Sequence, residues 1–268
     1  MEDISMQRAC GRAALAFDGF DGRNRLRHLH QSGCLKVMLP RNHSDIPDAV
    51  LINTAGGLTG GDTLATQVIL ENGASLRLAT QTAERIYKST GDNAQVNICF
   101  DLGEACSLDW LAQETILFQK GRVRRRISAN IAEDTSLLLV EPIVLGRLSM
   151  GEVVSTGHLH DTWRIFRDDR LIFADDTKIE DFSGLKRSAS IGGSPAMASL
   201  LLVDPMAEAM AKDIADIDKL NTTEIGVSAW NGMMVMRFVA LNPLDLKNTL
   251  STVIETIRGR ALPRVWTM

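Results

Sequence analysis

The stretch LINTAGGLTGGDT, residues 51–63, decides between two fold classes. A strand-like run ending in a glycine-rich turn is how many α/β proteins cradle phosphate, so a nucleotide site is the first reading to test. A phosphate loop needs a lysine and a hydroxyl directly after its last glycine. Here Gly56, Gly57, Gly60 and Gly61 are followed by Asp62, a negative charge where the lysine should stand. A dinucleotide fingerprint also needs a helix after the glycines. Instead Leu64, Thr66 and Val68 alternate with more polar residues, the period of a strand. The glycines therefore read as backbone geometry, giving positive φ and close approach between sheet layers. The expectation is a tight turn that presents Asp62.

Working outward, residues 50–180 read as strands. One pattern recurs at Ser75–Gln81 (SLRLATQ), Ser107–Gln113 (SLDWLAQ) and Ser136–Glu141 (SLLLVE), and more weakly at Arg170–Asp175 (RLIFAD). Each copy follows a turn-like segment, such as Asn72-Gly73-Ala74. Self-similarity near 30 residues, built of strands and short turns, predicts stacked sheet layers resembling a β-solenoid or sandwich.

After residue 195 the style changes. Met197–Val203 reads as a buried strand, and Asp204-Pro205 as the start of a helix. Met206, Met210, Ile214 and Ile217 fall on one face of that helix. Thr223–Trp230 and Met233–Ala240 read as a hairpin closed by Asn231-Gly232. Asn242-Pro243 opens a second helix with a Leu246, Leu250, Val253, Ile254, Ile257 stripe, and Gly259 stops it. The expected architecture is mainly β. It is one domain over 1–268, with a stacked body (1–195) and a C-terminal β-α-β-β-α portion (196–268) packing two helices on it.

Bulk properties narrow the function classes. The 268 residues are 45% hydrophobic and carry a formal net charge of -4. That is ordinary for a soluble globular protein and gives no basic signature of nucleic-acid binding. No apolar run is long enough to span a membrane, and the acidic start lacks an apolar leader core. Cys10, Cys34, Cys99 and Cys106 have no metal or redox spacing. A cytoplasmic location is the expectation.

Nothing in the chain completes a nucleophilic constellation, since there is no G-x-S-x-G elbow. Asp109 and Glu114 form a carboxylate pair open to two readings, acid–base hydrolysis on a β-solenoid or a solvated strand end. His28-Leu29-His30 and His158-Leu159-His160 each put two imidazoles on one strand face, as exposed histidines or as an incomplete metal site. Asp62, Glu141 and Glu152 lie beside glycine or proline in turn-like contexts. Such hard carboxylates, helped by water, would hold a divalent ion loosely, which suits passage more than storage. In Lys120–Arg126 the side chains of Arg122, Arg124 and Arg126 share a face. They would either dock an acidic partner or guard an edge strand with charge.

Taken together, these blocks resemble the urease accessory proteins of the UreD (UreH) type. That family carries a Leu-Leu-Asn-Thr-Ala-Gly-Gly-Leu-x-Gly-Gly-Asp block, matched by Leu51–Asp62 with Ile52 in second place. Its Thr-Gln-x-Ala…Tyr-Arg-Ser run is similar to Thr80–Ser89, which holds Gln81. Its Glu-Trp-Leu-Pro-Gln-Glu-Thr-Ile block is similar to Asp109–Ile116, which holds Gln113 and Glu114. Glu141, Leu145-Gly146-Arg147, Met150-Gly151-Glu152 and Pro263–Trp266 follow in order, and the early Arg25–Pro40 region fits too. Ala112 and Cys34 replace family prolines, and Glu84 stands where an uncharged residue is common. No motif acid is lost, so retained function is expected.

The resemblance implies a β-rich stacked fold and a scaffold without catalytic activity. It implies binding to apo-urease and to the accessory proteins UreF and UreG, the latter a GTPase. It also implies metallocentre assembly, a nickel-insertion chaperone role and an internal polar path for transient Ni(2+), with no cofactor permanently bound. Asp62 and Glu152 are the residues it places on that path, with Glu141 and Gln81 behind them. The rival expectations are a hydrolase using Asp109 and Glu114, and a plain interaction module that carries no nickel.

Overall fold

The structure is a computed structural model that describes residues 7–42, 44–214, 217 and 222–267. The chain opens with strands β1 (Cys10–Phe20), β2 (Arg23–Gly33), β3 (Leu35–Met38) and β4 (Asp48–Asn53). Next come β5 (Thr63–Glu71), β6 (Ser75–Thr80), β7 (Glu84–Ile86), β8 (Ala94–Leu102), β9 (Ser107–Leu111) and β10 (Thr115–Leu117). The body ends with β11 (Arg122–Ile131), β12 (Ser136–Leu145), β13 (His158–Arg167) and β14 (Arg170–Ile179). The C-terminal portion adds β15 (Ala196–Val203), helix α1 (Ala207–Ile214), β16 (Thr223–Trp230), β17 (Met233–Ala240) and helix α2 (Pro243–Arg258).

The strands form two sheets. One has seven strands in the order β14-β13-β11-β8-β5-β1-β2. The other has ten, running β16-β17-β15-β12-β9-β6-β4-β3, with β10 beside β12 and β7 beside β10. From β4 to β13 the chain alternates between them, so each coil of about 30 residues gives one strand to each sheet. The neighbours β1, β5, β8, β11 and β13 are parallel, as are β4, β6, β9 and β12. This is the stacked, solenoid-like architecture that the repeat predicts. Ser75, Ser107 and Ser136 stand side by side in register, so the three strong copies of the motif are three successive rungs. The fourth copy is different. Arg170–Asp175 lies on β14, antiparallel to β13 at the edge of the other sheet, because Asp168 and Asp169 adopt positive φ and fold the chain back as a hairpin.

Alternation along each strand builds two cores. Leu76, Leu78, Leu108, Trp110, Leu137 and Leu139 face the seven-stranded sheet and meet Leu15, Val68, Phe100, Ile127 and Trp163. The intervening Leu111, Leu138 and Val140 face the other way, against α2 and its Leu250, Val253 and Ile254. The ten-stranded sheet is thus buried on both faces, which is why β12 reads as an unbroken apolar run.

The C-terminal elements follow their local signals. Asn242 accepts from Leu244 N at 2.9 Å, and Gly259 closes α2 in the left-handed conformation. Asp204 accepts from Met206 N at 2.9 Å. Helix α1 starts one residue after Met206, which is exposed, while Ile214 is buried, so the expected apolar face is shorter than its spacing suggests. Its extension to Ile217 crosses residues 215 and 216, outside the described residues.

Candidate functional site

Between the two sheets lies a cavity of about 130 Å³, with room for several waters. Its polar wall follows from strand parity. On β11, Arg124 and Arg126 point to solvent, so Arg125 between them must point into the sandwich. There it lies beside Asp161 of β13 and opposite Glu141 of β12. Arg125 Nε and Nη2 donate to the two Asp161 oxygens at 2.9 and 2.7 Å. Its Nη1 donates to Thr115 Oγ1 at 3.0 Å and makes an ion contact with Glu141 Oε2. Trp110 Nε1 donates to Glu141 Oε1 at 2.7 Å, and Trp163 Nε1 to Asp161 at 3.2 Å. Arg125 is only 8% exposed, Asp161 5% and Glu141 1%.

Glu84 of β7 lines the same cavity. Asn53 Nδ2 reaches both of its oxygens, at 3.0 and 3.1 Å. The glycine loop forms the lip. Leu58 N donates to Arg85 O and Tyr87 N donates back to Leu58 O, both at 2.7 Å, which lays the loop on β7. At Gly57, φ is 141° and a side chain would collide with the Tyr87 ring and Arg85 O. A side chain at Gly60 would collide with Ser89 and Asp92 O. Glycine is needed at both for close approach rather than for a phosphate. The exposed Gly56 and Gln81 also line the cavity, at its mouth.

Electrostatics sets two carboxyls apart. Burial pushes Glu141 up to about 7; Arg125 opposes the rise, Asp161 reinforces it, and the Trp110 hydrogen bond opposes it. Burial likewise pushes Glu84 up to about 7, against the hydrogen bond from Asn53. Arg125 stays charged: burial disfavours its cation, but Asp161 and Glu141 outweigh that and raise its pKa. Two groups able to gain or lose a proton near neutrality therefore face one small cavity whose lining is otherwise mostly apolar.

Of the acids singled out in the sequence, only Glu141 lines the cavity, and it sits mid-strand rather than in a turn. Asp62 is buried beside the loop, where it accepts from Ala9 N at 2.8 Å and Thr59 N at 2.7 Å. Glu152 is bound by Arg147 Nε at 3.0 Å and accepts from Gln119 N at 3.3 Å. That pairing with Arg147 holds its carboxyl below the usual range. Gly151 ends the short turn before it with φ 66°, and Arg147 stacks on the Phe118 ring at 4.8 Å. Gln113 lines the cavity and donates to Val265 O at 3.0 Å. Among the described residues, no cluster of three or more His, Cys, Asp or Glu is close enough to hold a metal ion.

Three sequence readings need correction. Asp109 is not a solvated strand end: it is 2% exposed and pairs with Arg258 at 2.6 Å and Arg260 at 3.1 Å. Those two guanidiniums hold it as an anion clamp under α2, and neither it nor Glu114 lines the cavity. The hydrolase arrangement is therefore not assembled. The second histidine pair is not exposed either. His158 is buried with Nδ1 3.2 Å from Glu180, and His160 is half-buried with Nε2 3.0 Å from Asp176. Burial and then Arg122 lower the His158 pKa. His28 and His30 do sit exposed on β2. Finally, β11 lies between β8 and β13, so the arginine stripe does not guard a sheet edge.

The sequence reading passed over Arg125, Asp161 and Glu84 as site residues. Arg125 and Asp161 each carried a signal: both stand on the opposite parity from the polar stripe beside them, and a charge on a core-facing position needs a buried partner.

The sequence profile of the family described as UreD urease accessory protein matches residues 9–267. A "Urease accessory protein UreD" of Rhizobium leguminosarum bv. viciae is 40% identical over 265 residues, covering 98% of this chain and 96% of that one. One of the same name from Chelativorans sp. (strain BNC1) is 38% identical over 272 residues, covering 100% and 98%. A third, from Xanthobacter autotrophicus, is 38% identical over 262 residues, covering 97% and 90%. No helix among the described residues is long and apolar enough to cross a membrane.

Proposed function

The chain belongs to the UreD urease accessory protein family, and from that premise we propose that it serves urease maturation as a scaffold without catalytic activity. It binds apo-urease together with UreF and UreG in the cytoplasm and helps nickel reach the dinickel centre. Nickel is cargo in this reading, not a resident cofactor.

The observation that carries the nickel part is the carboxyl-lined cavity between the sheets. Arg125, Asp161 and Glu141 sum to one negative charge when Glu141 is ionised and to none when it holds its proton. A divalent ion entering there displaces protons from Glu141 and Glu84 rather than meeting a permanent anionic trap. Binding is accordingly weak, and hard oxygen donors with water suit an ion that must leave again. The Arg125 guanidinium keeps the deep end from becoming a storage site. By their hydrogen bonds, Asp62 and Glu152 act on the path at one remove, fixing the loops at residues 54–62 and 146–152.

The test is co-expression of urease subunits and the other accessory proteins with and without this chain. Urease should carry nickel only when it is present; equal nickel content in both would reject the role.

A further inference from the structure

The outer face of the seven-stranded sheet is uncovered, and one register row on it is unusual. Arg126 pairs with Asn97, Asn97 with Ala65, and Ala65 with Arg12, so four adjacent strands place two guanidiniums at the ends of a row. Three inter-strand spacings separate those ends, about 14 Å. Arg124 lies two residues from Arg126 on the same face. Among the described residues, Arg12, Arg124 and Arg126 have no carboxylate within ion-pair reach, although the chain as a whole carries a net charge of -4. The acids nearby are engaged elsewhere: Asp176 by Arg164 and His160, Asp101 by Asn130. The middle of the row is low, with Ala65 and Asn97, and Arg12 also borders a depression of about 400 Å³ floored by Ala14 and Ala16.

The geometry points to a docking surface for an extended acidic protein segment, laid across the strands so that carboxylates meet Arg126 and Arg12. About four extended residues at roughly 3.3 Å each cover the 14 Å between them. Ala65 keeps the row shallow beside Arg12 and admits a backbone at close range, and each guanidinium offers a carboxylate a two-pronged contact. A flat sheet with no exposed aromatic in the row lacks the stacking platforms a nucleic acid strand would use. Nothing here depends on nickel passing through the interior.

The test uses the full chain and a fluorescein-labelled peptide with paired glutamates spaced about four residues apart in a Gly/Ser background. Controls are a peptide of the same composition with all glutamates contiguous, and a short oligo-dT of equal charge. Anisotropy should show binding of the spaced peptide, weakening as salt rises from about 50 to about 200 mM. Arg12→Gln with Arg126→Gln should weaken it by roughly tenfold, while the Arg12→Lys, Arg126→Lys pair, which keeps the charge but loses the fork, should lose less than the Gln pair. Unchanged binding in the Gln pair, equal loss in both pairs, no preference for the spaced peptide, or tighter binding of oligo-dT would each overturn the proposal.

Discussion

Asp109 and Glu141 are both buried carboxylates on the ten-stranded sheet, yet they face opposite sides of it and different charge balances. Asp109 turns toward α2 and meets two arginines, Arg258 and Arg260. Glu141 turns toward the other sheet, where it shares one arginine with Asp161. Arg258 also reaches Asp204 at 3.9 Å, so the first cluster sets two arginines against two carboxylates, and it ties the C-terminal helix to the body. The second sets one arginine against two carboxylates, and burial, opposed by Arg125 and reinforced by Asp161, lets Glu141 hold its proton up to about 7. Both carboxylates are buried, so it is burial together with the partner charges on each face that separates a structural clamp from a responsive site.

The largest expected effect breaks the clamp. Asp109→Asn removes the anion that Arg258 and Arg260 share, leaving Arg258 only Asp204 at 3.9 Å, and should cost about 3–5 kcal/mol. On a chain of this size that lowers Tm by roughly 10 °C, measurable by a thermal melt. Removing the arginine of the other cluster should cost less, because Glu141 can protonate in response. Arg125→Met should destabilise by about 2–4 kcal/mol near pH 8 and by distinctly less near pH 6, read from denaturant midpoints at the two values.

A subtler effect lies in the pH dependence of the intact protein. Glu141 and Glu84 have folded pKa values of about 7, above the ordinary 4.5. Between those values the native state holds protons that the unfolded chain has lost. Their contribution therefore favours the fold at the acid end and is lost as pH rises toward 7. Glu84→Gln with Glu141→Gln should flatten that part of the stability–pH curve, and an unchanged slope would show that neither carboxyl is held protonated. The smallest effect is at Glu152. Its pair with the solvent-exposed Arg147 is screened by water, so Glu152→Gln should scarcely move Tm.

The difference between the two faces was only partly readable in the sequence. The three Ser-Leu rungs, the Asn231-Gly232 hairpin and α2 were legible because each rests on contacts local in sequence or repeated at a fixed interval. The hairpin of β1 and β2 was signalled by Asp21-Gly22, both at positive φ, but that signal went unused. The fourth motif copy misled because alternation alone does not tell a parallel rung from a hairpin return. The site was harder. Glu141 was reached from its place beside Pro142 and again through a family motif, whereas Arg125 lay hidden inside an arginine run whose exposed members drew the attention. Its partners lie 16 and 36 residues away: Asp161 meets it across the β11–β13 pairing of one sheet, and Glu141 only because the two sheets stack. No local pattern encodes that register. Asp62 shows the reverse: the glycine loop made it conspicuous, yet its two oxygens are occupied by backbone N–H groups.

The central claim is that the cavity between the sheets, and not merely the scaffold around it, takes part in urease maturation. Its most direct test is the nickel content of urease matured with Glu84→Gln, Glu141→Gln chain in place of the unsubstituted one, after confirming an unchanged melt at acid pH. The account predicts that the variant still joins the assembly while urease receives clearly less nickel. Full nickel content with the variant would contradict it.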